Sequence, residues 1–298
     1  MPSGPELRIG TSGYVYASWK RRFYPVGLPA RAWLSYYATH FDTVELNGTF
    51  YRLPEAPVFA RWRQQVPDGF TFAVKFSRFG THMKRLLGAR ETIGRFARRA
   101  RRLGPHLGPV LVQLPPRWAP DLPRLDRFLG AAPRDMRWVV EIRDERWLGD
   151  ELYALLRRHD TALCIHDMIP DHPRVVTTDF AYVRFHGINY GGSYSAAALT
   201  PWAGWIARRL AEHVGVFAYF NNDVDVHGSR GWPVGDHQGG GAGPLEPAGR
   251  PRALHGEGKG RQHRLAAGYG CPHGGAARRA AGMRLAALEP ARRRAPPL

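Results

Sequence analysis

At 298 residues, with 44% hydrophobic and 12% aromatic content, the chain is long enough for one large core or two modest ones. No apolar run approaches a membrane span, and the opening MPSGPELRIGTSG lacks the basic-then-apolar layout of a secretory leader, so a cytoplasmic protein with no membrane partner is expected. Two cysteines, Cys164 and Cys271, are too few for a disulfide scaffold or a cysteine zinc site, while the net charge of +18 raises nucleic acid as a partner class.

The first strand is expected over residues 7–10, followed by a Thr11-Ser12-Gly13 turn whose amides and hydroxyls are candidates to cradle an anion. Residues 31–41 place Trp33, Leu34, Tyr37 and Phe41 on one helical face. The chain then enters TVELNGTFYRLP, in which Val44 and Leu46 point one way and Thr43, Glu45 and Asn47 the other. Placing a carboxylate and an amide on one face of a buried strand is costly without a use. A second helix runs through Phe59, Trp62 and Val66 until Pro67-Asp68-Gly69 breaks it, and a third strand covers residues 71–76.

The next helix buries Ile93, Phe96, Ala97 and Ala100 and turns Arg95, Arg98, Arg99 and Arg102 outward, as a solvated face or a phosphate-binding stripe. Strand four (110–114) is stopped by Pro115 and Pro116, and Asp121 caps a short helix through Leu125, Phe128 and Leu129. Strand five (138–143), a helix with Leu152, Leu155 and Leu156 in register, strand six (162–167), strand seven (180–186), a helix over 197–210 and strand eight (216–220) complete the pattern. Eight apolar strands, mostly separated by helical segments, predict an α/β chain of the (β/α)₈ TIM-barrel type. An open doubly wound sheet is the competitor, but no strand is followed by a glycine-rich dinucleotide fingerprint.

After Asp225 the composition changes. Residues 228–298 hold 24 Gly or Pro among 71 and twelve Arg or Lys against four acids. Residues 1–227 are therefore read as the barrel domain and 228–298 as a low-complexity tail, disordered or the product of a reading-frame change. The tail's excess of eight positive charges weakens the nucleic-acid inference for the barrel itself.

The segments IGTSGYVYASWKRRFYP, FDTVELNGTFYRLP, GFTFAVKFSRFGTHMKRL, GPVLVQLPPRW, VVEIRDERW, YVRFHG and YFNND, in this order, resemble the successive motifs of the YecE-like family, also called domain of unknown function 72. The resemblance implies a barrel similar in fold to sugar isomerases and endonucleases, and a set of positions rather than a reaction. The chain departs from the family pattern after YFNNDVDVHG, where a closing segment and a final helix would be expected.

In such a barrel the C-terminal ends of the strands form the site. Strand parity aims Glu45, Asn47, Lys75, Gln113, Glu141, Arg143, Arg184, His186 and Asn221 at that mouth, and His166 competes with Asp167 for an inward place. Glu45, Glu141 and His186 are the candidate catalytic groups; Asn47, Tyr51, Lys75, Gln113, Arg143, Arg184, Asn221 and Asn222 are candidate substrate contacts. Glu45, Glu141, Asp167 and His186 are also a donor set suited to a divalent metal, while the same carboxylates can act as a general acid and base. No compact ligand spacing such as HExxH decides between them.

Lys75, Arg143 and Arg184 point to a small anionic substrate, phosphorylated or sugar-like, and the glycines of residues 187–192 follow strand seven, where barrels bind phosphate. A hydrolase or isomerase is the leading expectation. The alternatives are a nucleic-acid-interacting protein, a non-catalytic ligand-binding barrel, or an internal salt-bridge network that only fills the barrel. His82, Tyr51 and Trp147 are candidates to stack on a ligand, and Cys164 reads as core.

Overall fold

The computed structural model describes residues 5–187 and 194–221. Eight parallel strands close into a barrel in sequence order: β1 (Leu7–Thr11), β2 (Thr43–Leu46), β3 (Thr71–Lys75), β4 (Leu107–Gln113), β5 (Trp138–Glu141), β6 (Thr161–His166), β7 (Phe180–Phe185) and β8 (Gly215–Phe220). The helices among them are α1 (Trp33–Ala38), α2 (Gly48–Tyr51), α3 (Ala56–Gln64), α4 (Ala89–Ala100), α5 (Leu122–Gly130), α6 (Asp150–Arg158) and α7 (Ala196–Ala211). This is the (β/α)₈ architecture expected from the alternation of apolar strands and amphipathic helices. No helix among the described residues is long and apolar enough to cross a membrane. The expected tail and the missing final helix lie outside the described residues.

The outward strand residues Ile9, Val44, Val74, Val110, Val112, Val140, Ile165, Val183, Val216 and Ala218 are fully or almost fully buried under the helices. The inward set divides by height. Ala73, Leu111, Val139, Ala162, Cys164, Phe180, Tyr182, Phe217 and Tyr219 form a separate apolar cluster inside the barrel, and the charged groups stand toward the C-terminal ends of these strands and of β2. The apolar plug excludes water from beneath the mouth, which strengthens every charge interaction above it.

Several element boundaries differ from expectation. Strands β3, β5 and β7 end at Lys75, Glu141 and Phe185, one or two residues early, so Arg143 and His186 sit on loops rather than on strands. The helix expected over 31–41 is a 3₁₀ turn at Ala30–Ala32 followed by α1, because Thr39 turns its hydroxyl onto the Tyr36 carbonyl (2.8 Å) and its amide closes a tight i−3 bond to the same oxygen (3.1 Å). Between β6 and β7 the structure has no helix. There Thr177 lies along β6, donating to Thr161 O (2.6 Å) and accepting from Leu163 N (2.9 Å). Asp121 does cap α5, accepting from Arg124 N at 3.0 Å.

Barrel closure is uneven. β1 pairs β8 over five residues but meets β2 at one, Thr11 with Val44. The Tyr37 hydroxyl of α1 fills part of that gap: it accepts from Thr11 N (3.0 Å) and donates to Thr43 O (3.0 Å).

Candidate functional site

Arg184, the fifth residue of β7, is 1% exposed and lies between two carboxylates that are 0% exposed. Its two terminal nitrogens divide between them, reaching Glu45 Oε1 at 2.8 Å and Glu141 Oε2 at 2.7 Å. Glu45 also accepts from the Ser12 hydroxyl (2.7 Å) and the Tyr182 hydroxyl (2.6 Å), and Glu141 from Gln113 Nε2 (2.9 Å) and from Arg143 Nε. Burial works to raise the pKa of both carboxyls, but the guanidinium of Arg184 at Glu45, and those of Arg143 and Arg184 at Glu141, outweigh it and hold both below the usual carboxylate range. Both are ionised, with hydrogen-bond donors on every oxygen.

His186 stands above this pair. Its Nε2 lies 3.1 Å from an Arg184 nitrogen and 3.3 Å from an Arg143 nitrogen; guanidinium only donates, so Nε2 accepts. The proton then sits on Nδ1, which faces Asp167 Oδ1 at 3.3 Å. Burial holds the imidazole below its ordinary pKa against the Asp167 hydrogen bond, which keeps it neutral. Asp167 is fixed by the amides of His186 (2.8 Å) and Gly187 (3.2 Å) and by the Tyr194 hydroxyl. The rivalry for the inward place resolves with both residues near the site. His166 takes the inward place, its Nε2 donating to Ile142 O (2.6 Å), and Asp167 reaches His186 from the loop.

Lys75, at the end of β3, is 8% exposed. Its ammonium lies 4.3 Å from the centroid of the Phe50 ring. Among the described residues it has no hydrogen bond and no ion pair within 4.0 Å, because the neighbouring carboxylate oxygens are occupied by arginine, serine, tyrosine and glutamine. Burial, then the nearby Arg184, lowers its pKa to about 8. The half-buried His82 is lowered to about 4 by burial and then by Lys75, a second sign of positive potential here.

The remaining expectations fare unequally. Gln113 joins the cluster through Glu141, and Asn47 donates to Ser12 O at 3.1 Å. Asn221 is placed at the mouth by its amide bond to Phe185 O (2.7 Å), and Asn222 lies outside the described residues, as does most of the glycine segment after β7. Tyr51 is 76% exposed and lines a cleft of about 270 Å³ with Phe79, Arg78, Arg95 and Arg99, which shares Phe50 with the surroundings of Lys75. Trp147 is not a stacking surface: it is 4% exposed and donates to Trp118 O (2.5 Å).

In the Thr11-Ser12-Gly13 turn the amides and hydroxyls of Thr11 and Ser12 are engaged internally rather than left to cradle an anion. Thr11 N donates to Tyr37, Ser12 N to Phe220 O (2.8 Å), the Thr11 hydroxyl to Gly13 O (2.7 Å) and the Ser12 hydroxyl to Glu45. The metal set also fails to assemble: among the described residues no group of three or more His, Cys, Asp or Glu could hold a metal ion. The physical reason is that Arg184 stands between Glu45 and Glu141, where a shared cation would have to sit. Sequence reasoning does not single out Ser12 and Tyr182 as contacts to the buried carboxylate, although Tyr182 shares the period of two with Arg184 along β7.

Comparison with known proteins agrees with this architecture. The UPF0759 protein YecE of Escherichia coli (strain K12) is 34% identical over 154 residues, 51% of this chain and 54% of that protein, so the chain spans about half the length of the curated relatives it matches. A crystal structure of a DUF72 family protein from Thermotoga maritima superposes with a TM-score of 0.65 at 27% identity, covering 73% of this chain and 92% of the other. One from Enterococcus faecalis gives 0.60 at 20% identity over 72% and 89%, a likeness of fold alone. The family model described as "Protein of unknown function DUF72" matches residues 8–230, from the first barrel strand through the last, and the chain accordingly belongs to the DUF72 family.

Proposed function

We propose that the mouth of the barrel binds and acts on a small anionic molecule, phosphorylated or sugar-like. The observation that carries this reading is the Lys75 ammonium, which among the described residues has no hydrogen bond and no ion pair within 4.0 Å. Arg143 and Arg184 are each bound to the carboxylates Glu45 and Glu141, whereas Lys75, among the described residues, rests on the Phe50 ring and reaches neither carboxylate within 4.0 Å. A nearly buried charge without a directly bonded counter-ion is costly, and a ligand anion lowers that cost. In this reading Glu45 and Glu141 are fixed counter-charges that hold Arg184 and Arg143 in place. His186 and Asp167 set the height of the two guanidiniums.

Orthophosphate titrated at low ionic strength, followed by calorimetry, tests the reading. Binding is expected in the wild type and about 10- to 100-fold weaker in Lys75→Met, the loss of one hydrogen bond to a charged group. Equal affinity in both proteins removes the reading. A second reading is favoured by the cleft beside Phe50, where exposed Tyr51 and Phe79 stand with Arg78 and Arg95 as a stacking and phosphate-contacting surface for nucleic acid. The same pair of proteins separates the two: binding of a single-stranded oligonucleotide that survives Lys75→Met and weakens steeply with salt belongs to the cleft.

A further inference from the structure

We propose that Lys75 is a covalent capture site for carbonyl compounds, its amine closing on the aldehyde, ketone or 2-oxo carbon of a small acidic ligand to form an iminium. The proposal deepens the anion-binding reading and rests on it for the charge of the ligand.

The placement of the amine carries the inference. A lysine used only as a structural cation is expected to settle on a carboxylate, and two ionised carboxylates lie near enough to Lys75 to raise its proton affinity. Both are already filled. Arg184 and Arg143 approach them from above, Ser12 and Tyr182 close Glu45, and Gln113 closes Glu141. The amine is left against the face of Phe50, a surface that stabilises the cation weakly and offers no proton acceptor. Its backbone does not yield: the Thr49 hydroxyl donates to Lys75 O at 2.7 Å, and the next amide, Phe76 N, donates to Leu111 O at 2.8 Å. The result is a primary amine at the barrel mouth, carried on a fixed backbone, lying over an aromatic ring and within the field of two guanidiniums. Burial and the guanidiniums also ease the loss of its proton, bringing the pKa to about 8.

The chemistry balances without a co-reactant. The ammonium gives a proton to solvent, the nitrogen lone pair attacks the carbonyl carbon, and the carbonyl π pair moves to oxygen. The carbinolamine then takes back a proton and expels its hydroxyl as water, leaving a C=N bond with one hydrogen on a positively charged nitrogen. Ammonium and carbonyl have become iminium and water, so the net charge of the mouth is unchanged. The buried Glu45 and Glu141 remain ionised throughout, and the positive potential of Arg143 and Arg184 at Lys75 favours a ligand that carries an acidic group.

The test uses reductive trapping on the full-length protein. The chain has four lysines, Lys20, Lys75, Lys84 and Lys259, so the others serve as internal references. Pyruvate with sodium cyanoborohydride at pH 7, followed by peptide mapping, is expected to label Lys75 at least about tenfold faster than Lys20 or Lys84, since its amine is held at the mouth beside the guanidiniums and loses its proton with a pKa of about 8. Orthophosphate should slow that labelling, and Lys75→Arg, which keeps the charge but forms no imine, should abolish it while leaving the labelling of Lys20 and Lys84 as it was.

Labelling of Lys75 no faster than that of Lys20 and Lys84 overturns the proposal. If the wild type still binds orthophosphate in that case, the anion site stands without the covalent step. Selective labelling that orthophosphate does not slow, in a protein that does not bind it, supports the capture site and removes the anion reading.

Discussion

Arg184 reaches Glu45 through one terminal nitrogen and Glu141 through the other, at depths where neither carboxylate meets solvent. Arg184→Met therefore leaves two ionised groups buried without their shared counter-charge, which costs about 3–5 kcal/mol. The pH dependence follows from the directions of the shifts. In the wild type both carboxyl pKa values are depressed, so their contribution is full at neutral pH and is lost only as the pH falls through the depressed values. Without Arg184 the carboxyls protonate more readily, so acidification relieves the variant. Urea denaturation is expected to show a gap between the two proteins that is wide at pH 7 and narrower at pH 5; a gap of constant width contradicts this account. Strand parity was enough to place Glu45, Lys75, Gln113, Glu141 and Arg184 at one end of the barrel. It could not show that Arg184 engages both acids, because the separation of β2 from β7 across the barrel is set by closure and by side-chain length, not by spacing along the chain.

At the level of elements, β1 and β2 approach so closely at Gly10 that a Cβ there would stand 2.3 Å from Thr43 O. A backbone oxygen cannot rotate away. Gly10→Ala is expected to force the two strands apart at a cost of about 1–3 kcal/mol and to draw Ser12, two residues on, from Glu45. Gly94→Ala, within α4, makes the control: its Cβ would meet nothing nearer than Arg98 Nη1 at 3.5 Å, an ordinary contact, so no comparable loss in denaturation midpoint is expected. Equal losses contradict the distinction. The strands themselves were legible as apolar runs and α4 as an amphipathic face, since burial on both sides of a strand and on one side of a helix writes itself into composition. The short α2 and the helix-free connection before β7 were not, because tertiary hydrogen bonds such as those of Thr177 hold these segments in place of periodicity.

For the whole molecule, four histidines among the described residues are kept neutral by the fold, the half-buried His82 among them with a pKa lowered to about 4. Burial lowers the pKa of His166 to about 4 and lowers those of His172 and His186. Each binds fewer protons folded than unfolded across the window between its depressed value and about 6.5. Stability is therefore full above that window and declines as the pH falls through it, by up to about 1.4 kcal/mol per pH unit for each proton taken up on unfolding. The urea midpoint is expected to start falling near pH 6.5, well above the range in which carboxylates alone would act, and a midpoint unchanged from pH 7 to pH 5.5 contradicts it. The closed barrel could be anticipated from the order of its elements. Its acid sensitivity could not, since the sequence shows thirteen histidines without saying which are dry.

The phenol of Tyr37, set between Thr11 and Thr43, works as a latch mounted on the outside of the wall. It is held in turn by Phe41, its ring stacked at 4.7 Å. Ser12 and Glu45 lie on opposite sides of the join that this latch closes. A disturbance among the aromatics beneath α1 can thus part the hydroxyl from the carboxylate and alter the charge at the mouth, though nothing at the mouth has been touched.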